Sequence, residues 1–358
     1  MWAICPNNGG HPGLVSGVLL VGFSRIDYSM GMMKLVIRRL LTGLLTLWGV
    51  SLVFFLLIEW SPGDFATIRA HQLVHDIEPL SDAFLAQYTQ LTGFDRPAYE
   101  RYFLWLKKMI VGDFGYSPGG GREIAPLLFE RFANTFYLGA VAAILGIPLA
   151  LVLGVYAALK RGTFIDRGIT SLAMMIYCVP EFLSGYAIVA LLAVKLSLFP
   201  SMALAPLYSG PLTQLYHIVL PVLTLVLAFI ATILIPVRAA ILSILARPHI
   251  EMAHLKGLST WRIVIFHVMP ACIGPVTNIA ILAVANLLTG VIIVEIVFVY
   301  PGVGQLMVDA VLHQDVALVM GIGVIITAAY VLLIVAADVV GIISNPKLRE
   351  KIEYDGDG

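Results

Sequence analysis

The sequence predicts an all-α integral membrane protein with six transmembrane helices and an outer helical segment between the first two. Three observations carry that prediction. Of 358 residues, 59% are hydrophobic and 12% charged, against roughly 45–50% and about 25% in an ordinary globular chain. Mean hydropathy is +0.93. Apolar runs of about 20 residues, long enough for a helix to cross the hydrocarbon layer, recur along the chain. So little charge cannot cover a water-facing surface, which excludes a soluble enzyme, an intrinsically disordered chain and a disulfide-stapled secreted domain. The 22 basic and 22 acidic residues cancel, so no global field draws nucleic acid. Membrane lipid is the expected surrounding, and nucleic acid is not an expected partner. Cys5, Cys178 and Cys272 show neither CxxC nor Cys/His spacing, so neither a disulfide framework nor a zinc site is indicated.

The six runs fall at 40–60, 135–159, 169–198, 217–237, 271–299 and 319–343. The run at 14–23 is too short to span and lacks a preceding basic residue, so it is not a signal peptide. Residues 1–32 read as an N-terminal extension ahead of a start at Met33, and translation from Met33 is an equal alternative. Residues 33–60 then supply a basic flank and the first span. Lys34, Arg38 and Arg39 precede that span, and Lys160, Arg161 and Arg167 lie between the second and third. Arg238, Arg247, Lys256 and Arg262 lie between the fourth and fifth, and Lys347, Arg349 and Lys351 follow the sixth. The short loops at 199–216 and 300–318 carry no Lys or Arg. By the positive-inside rule both termini are cytoplasmic.

Residues 61–132 form an extracytoplasmic segment with helical patterning. Leu80, Phe84, Tyr88 and Leu91 recur at helical spacing before Gly93. Tyr99, Tyr102, Phe103, Leu106 and Ile110 form a second stripe closed by Gly112. Residues 117–121 are a turn, and a third helix from about Arg122 leads into the second span. The segment either packs on the membrane domain or docks a partner from outside. Residues 133–345 are a five-span core, and 346–358 a cytoplasmic tail.

Catalytic constellations are missing. No GxxxxGK[ST] phosphate cradle and no HExxH occur. Gly115-Tyr116-Ser117-Pro118-Gly119 matches GxSxG in letters, but proline inside a glycine run suits a plain turn better than a nucleophile elbow. His71, His75 and Glu78 have metal-like spacing, yet Pro79 disfavours helix at Glu78, and a solvated polar stretch is the better reading.

The informative segment is the cytoplasmic loop 238–270. Pro248 suits the first position of a helix, which runs to about Lys256, with Gly257 just past its end. Ser259 is placed to cap a second helix by accepting from amides near Arg262. Two short helices meeting at a rigid corner between two spans can transmit a push; an ordinary interfacial loop is the plainer alternative.

Here the residues carry a resemblance. Glu251-Met252-Ala253, then Gly257, then Pro270 resemble the EAA loop of ABC importer permeases, with Met252 where a second alanine is usual. His267-Val268-Met269-Pro270 and Pro275-Val276-Thr277 narrow the likeness to the dipeptide/oligopeptide branch, with Ala271 in place of a frequent asparagine. Ser61-Pro62-Gly63-Asp64, Gly112-Asp113-Phe114-Gly115, Glu130-Arg131-Phe132-Ala133-Asn134-Thr135, Val294-Glu295, Pro301-Gly302-Val303-Gly304 and Asn345-Pro346-Lys347-Leu348-Arg349 are similar to that branch in order and spacing.

The resemblance implies a permease subunit that performs no chemistry itself. It implies a second homologous permease, two ATP-binding subunits that hold ATP and Mg, and an extracytoplasmic substrate-binding protein. No cofactor is implied in this chain. Glu251, Ala253, Gly257 and Pro270 would form the coupling element toward the ATPases. Peptides are the implied cargo; nickel complexes, opines and oligosaccharides suit the same fold. A proton-coupled carrier is a rival, although no inverted repeat is evident.

Ionisable or amide side chains within spans call for a partner or a pathway. Glu181 follows Pro180, where a helix is open to interruption. Asn278, Asn286 and Glu295 lie in the fifth span and Asp338 in the sixth. Glu181, Asn278, Asn286 and Glu295 are candidates for the translocation path; helix–helix bonding is the other reading, favoured for Glu295 and Asp338. Lys195 and Glu59 sit near span ends, where side chains reach the interface.

Overall fold

The seam that organises the bundle is made of small residues. Gly139, Ala142, Gly146, Ala150, Gly154 and Ala158 are all buried on one helix, Ile124–Leu159, at steps of three or four that align them on one face. A Cβ at Gly146 would stand 2.9 Å from the Phe229 ring, and one at Gly154 3.0 Å from Val237. Small residues let two helices approach closely in a membrane, where lipid is as apolar as leucine and packing must drive association.

The computed structural model describes residues 16–60, 96–117, 122–204, 210–313 and 315–344. In chain order these form α1 (Ser16–Glu59), α2 (Ala98–Val111), α3 (Ile124–Leu159), α4 (Phe164–Cys178), α5 (Glu181–Ile188), α6 (Pro211–Leu245), α7 (Pro248–Leu255), α8 (Thr260–Ile263), α9 (Met269–Phe298), α10 (Val303–Leu312) and α11 (Val316–Ser344). Among the described residues the sole extended pairing is an isolated bridge between Tyr116 and Glu123. The chain is an all-α membrane protein.

Five of the six expected spans are continuous helices long and apolar enough to cross a membrane. They correspond to α1, α3, α6, the run from α8 into α9, and α11. The third is not straight: α4 and α5 meet at 105° across Val179-Pro180. Val179 is extended, the conformation a following proline favours. Several helices outrun the expected bounds because their ends carry polar residues that an apolar-run criterion discards. α1 passes through Met33 without a break. α8 and α9 form one helical course interrupted by a wide turn, Val264–Val268. There Met269 N–H reaches back five residues to the Val264 carbonyl. Pro270 has no N–H to donate and its ring crowds the carbonyl four residues back, which explains the widening.

α6 is the hub. It packs most extensively on α3 and next on α9, with α4, α5 and α7 against it too. Its most apolar window is 61% buried, against 6% for that of α1. Among the described residues α1 leans chiefly on α11 and, less, on α2. A second, smaller core joins Ile124 and Leu128 of α3 to Val303, Leu306 and Ala310 of α10 and to Leu318 and Ile322 of α11.

α2 ends at Gly112, which takes φ +84° and closes the helix as expected. Its apolar stripe is only partly used. Tyr102 is buried, its hydroxyl 2.9 Å from Ser51 Oγ and its ring edge-on to Phe55 at 5.3 Å. Tyr99, Phe103 and Ile110 remain exposed, because the face toward α1 runs through Arg101, Tyr102 and Trp105. Glu59 is not free at the interface; it pairs with Arg101. The first outer helix (80–91), His71, His75, Glu78, Pro62-Gly63-Asp64, residues 118–121, the tail 346–358 and the side chain of Asp338 lie outside the described residues.

Candidate functional site

Three constellations collect the candidate residues, one at the end of the bundle that carries the basic loops, one at mid-depth and one at the opposite end.

At the basic end, Arg247 is extended and Pro248 opens α7 at its first position. Gly257 has φ +77°, a left-handed backbone that side chains disfavour. Leu258 N–H then reaches back to the Ala253 carbonyl at 3.3 Å and Gly257 N–H to His254 at 2.9 Å, the pattern of a Schellman termination. Ser259 departs from expectation. Its side chain accepts no capping bond; its carbonyl takes Ile263 N–H at 3.1 Å. The site is exposed, so water can satisfy the first amides of α8.

The corner has two faces. Ile250 and Ala253, three residues apart, are buried in the same core as Ile241, Ile244, Ile263 and Val268. Glu251 is exposed, as are Met252, Leu255 and Trp261 at 54%, 75% and 67%. Ala253 therefore anchors the helix, while Glu251 belongs to its outward surface. Pro270 stands apart from both, at the start of α9.

Beside the corner, Arg238 of α6 grips Asp166 of α4 through two hydrogen bonds. Asp166 also accepts from Gly162 N–H at 2.9 Å, and Thr163 caps α4 by accepting from Asp166 N–H. Arg238 is legible in the sequence only as an orientation marker. The signal that sequence reasoning missed is Thr163-x-x-Asp166, a capping pattern.

At the opposite end, two distant motifs close on each other. Asn134 Nδ2 donates to the Pro301 carbonyl at 2.8 Å, and Tyr300 returns a bond to the Asn134 carbonyl at 3.1 Å. Thr135 Oγ1 accepts from Val303 N–H at 2.9 Å. Glu295 is wholly buried and accepts from Gly304 N–H at 2.7 Å. Its carboxylate thus faces the first turn of α10, where the helix dipole favours negative charge. α10 itself lies within 300–318, where the sequence suggested only a loop. Nearby, residues 115–117 and 122–124 run antiparallel, joined by two 3.0 Å backbone bonds, Ser117 N–H to the Arg122 carbonyl and Ile124 N–H to the Gly115 carbonyl. Ser117 donates to Asp315. The Tyr116 hydroxyl donates to Glu123, whose carboxylate raises the phenol's pKa. The Ser117 hydroxyl is thus held by a carboxylate rather than by the histidine base that a GxSxG nucleophile requires.

At mid-depth, the break between α4 and α5 opens a cavity of about 100 Å³ lined by Tyr177, Glu181, Ser184, Thr224 and Thr232 among others. Glu181 is half-buried and lies against Gly290 of α9, where a Cβ would stand 2.6 Å from Oε2. Asn286, one turn from Gly290, and Asn278 are exposed on α9. The structure therefore brings Glu181 to α9, the helix that carries both asparagines and Glu295, while the buried Glu295 carboxylate turns toward α10.

Comparison with known proteins gives relatives over most of the chain. The chain is 29% identical over 318 residues to the oligopeptide transport system permease protein AppB of Bacillus subtilis, covering 88% of this chain and 98% of that one. It is 28% identical over 344 residues to the dipeptide transport system permease protein DppB of Escherichia coli, covering 89% and 100%. It is 29% identical over 321 residues to the glutathione transport system permease protein GsiC of the same species, again covering 89% and 100%. Residues 150–350 match the family described as binding-protein-dependent transport system inner membrane component. That stretch holds the hub helix, the two-faced corner and the mid-depth cavity, and the chain belongs to this family.

Proposed function

We propose that this chain is the membrane-crossing subunit of an ABC importer for peptides, oriented with both termini and the α7 corner in the cytoplasm. A second, homologous permease completes the route, two ATP-binding subunits that hold ATP and Mg dock beneath, and an extracytoplasmic binding protein delivers cargo. Relatives named for oligopeptide, dipeptide and glutathione transport support the cargo class. The distribution of Lys and Arg supports the orientation.

The observation that carries the reading is the division of α7 into an anchored and a presented face. Ile250 and Ala253 fix the helix in the core, so a displacement of α7 moves α6 and α9 with it. Glu251, Met252 and Leu255 present an acidic and apolar surface suited to a groove with apolar and basic lining. Closure of the ATP-binding subunits would push this corner, and tilting of the spans would alternate access. Pro270, at the wide turn, is the point where α8 hands that motion to α9. Asn278, Asn286 and Glu181 are assigned to the route, and Glu295 to holding α10.

The test is reconstitution of the complete complex with its binding protein. ATP-driven peptide uptake and ATPase stimulation by loaded binding protein are expected. Glu251→Arg with Leu255→Asp should release the ATP-binding subunits from the purified complex while this chain still reaches the membrane. Retention of those subunits at the parental ratio would remove α7 as the docking element.

A further inference from the structure

The cavity at the break of the third span lies at the centre of the hub helix. Thr224 is 13 residues from one end of α6 and Thr232 is 13 from the other, so each stands about 20 Å from a terminus. A carboxylate at that depth is costly without a partner. Glu181 has none: no described residue donates a hydrogen bond to it or pairs with it. Nothing in the lining is cationic.

Two of the other polar groups are turned into acceptors. Thr224 spends its proton on the Leu220 carbonyl at 3.0 Å and Thr232 spends its own on Ala228 at 2.9 Å. Both hydroxyl oxygens keep lone pairs but have no proton left to offer. A carboxylate, two acceptor hydroxyls and the adaptable hydroxyls of Ser184 and Tyr177 therefore surround a space open on one side. Gly290 makes room for the carboxylate. From it, Asn286 and Asn278 continue at four- and eight-residue steps along α9, exposed on the chain's surface.

We infer that this cavity binds an ammonium group carried by the cargo, with Glu181 as its counter-charge. A protonated amine is a compact donor of up to three hydrogen bonds with one positive charge, which complements a lining of one carboxylate, two acceptor hydroxyls and no cation. For a peptide the group is the free α-amino terminus. The inference rests on the peptide-importer reading, and it adds that the membrane subunit itself, at mid-depth, recognises the amine.

The direct test uses the parental complex, with no substitution that risks misfolding. Dicyclohexylcarbodiimide modifies carboxyl groups in apolar surroundings, and mass spectrometry reads the extent at Glu181, with buried Glu295 as an internal control. Alanyl-alanine and n-butylammonium are expected to slow modification of Glu181 about tenfold, a factor within reach of one charge-assisted hydrogen bond. N-acetyl-alanyl-alanine, butanol and potassium chloride should leave the rate unchanged. Equal protection by the acetylated peptide, equal protection by potassium, or no protection by any compound would each overturn the assignment.

In the complete complex, Glu181→Gln should lower ATP-driven alanyl-alanine uptake about tenfold and Glu181→Asp by less, since aspartate keeps the charge. Parental uptake by the glutamine variant would also overturn it. Absence of alanyl-alanine uptake by the parental complex strikes the importer reading instead, while n-butylammonium protection still decides the site.

Discussion

Arg238 and Asp166 lie 72 residues apart in the chain and meet as a parallel fork, Nε to Oδ1 at 2.7 Å and Nη2 to Oδ2 at 2.8 Å. The pair ties the start of the broken third span to the hub helix, two turns before the helix reaches the α7 corner. Lysine could supply the charge but not the two parallel donors.

Breaking this pair should unsettle the basic end of the bundle. Asp166→Ala leaves a guanidinium without its partner and should cost about 3 kcal/mol, the low end for a broken buried pair, since Arg238 keeps 23% of its side-chain surface. Thermal unfolding in detergent should show Asp166→Ala with Arg238→Ala together losing less than the two single changes summed. Strict additivity would mean the fork contributes nothing.

At Gly257 the cost is conformational alone. A side chain there meets nothing within 4 Å, yet φ is +77°. Gly257→Val should therefore strain the corner by about 1–2 kcal/mol without disturbing spans whose backbone bonds are internal. Membrane levels should match the parent, and stimulation of ATP hydrolysis by loaded binding protein should fall away. Stimulation at the parental level would show that the corner tolerates a shifted α7.

Gly146 tests the seam between α3 and α6. A valine there would press on Phe229 from 2.9 Å and should destabilise the pair by about 1–3 kcal/mol. Combining it with Phe229→Leu should restore part of the loss in a detergent melt; a double variant no better than Gly146→Val alone would place the strain elsewhere.

Glu295→Ala should weaken the α10 end of the bundle and not the choice of cargo. The change orphans Gly304 N–H, a buried donor, at a cost of about 1–3 kcal/mol. Melting should fall while the ranking of peptides in competition assays stays as in the parent. A changed ranking with unchanged melting would move Glu295 into the route.

Much of this architecture is legible in the sequence for identifiable reasons. Pro248 and Gly257 announce helix start and stop through fixed backbone constraints, so residue types alone are enough to draw the corner. The spans are visible because lipid enforces long apolar runs. Side-chain pairing is not. Asp166 and Arg238, or Asn134 and Pro301, are joined only by tertiary packing that no local pattern encodes. The face of α7 is equally hidden: Glu251 and Ala253 sit two residues apart in one motif, yet one is presented and the other buried. α10 escapes because ten residues with glycine inside look like a loop to a span-length criterion.

The hub role of α6 has a consequence for biogenesis. α3 leaves the ribosome and enters the bilayer long before its main packing partner, for α6 ends 86 residues after α3 does. At roughly 5–20 residues per second that interval is about 4–17 s. During it the glycine-alanine seam of α3 lacks Phe229 and Val237, the side chains that later fill it. The nascent chain thus waits half-assembled with its stickiest face unoccupied, and an insertase or chaperone that shields small-residue helices would raise the yield of this protein more than one that helps helices cross.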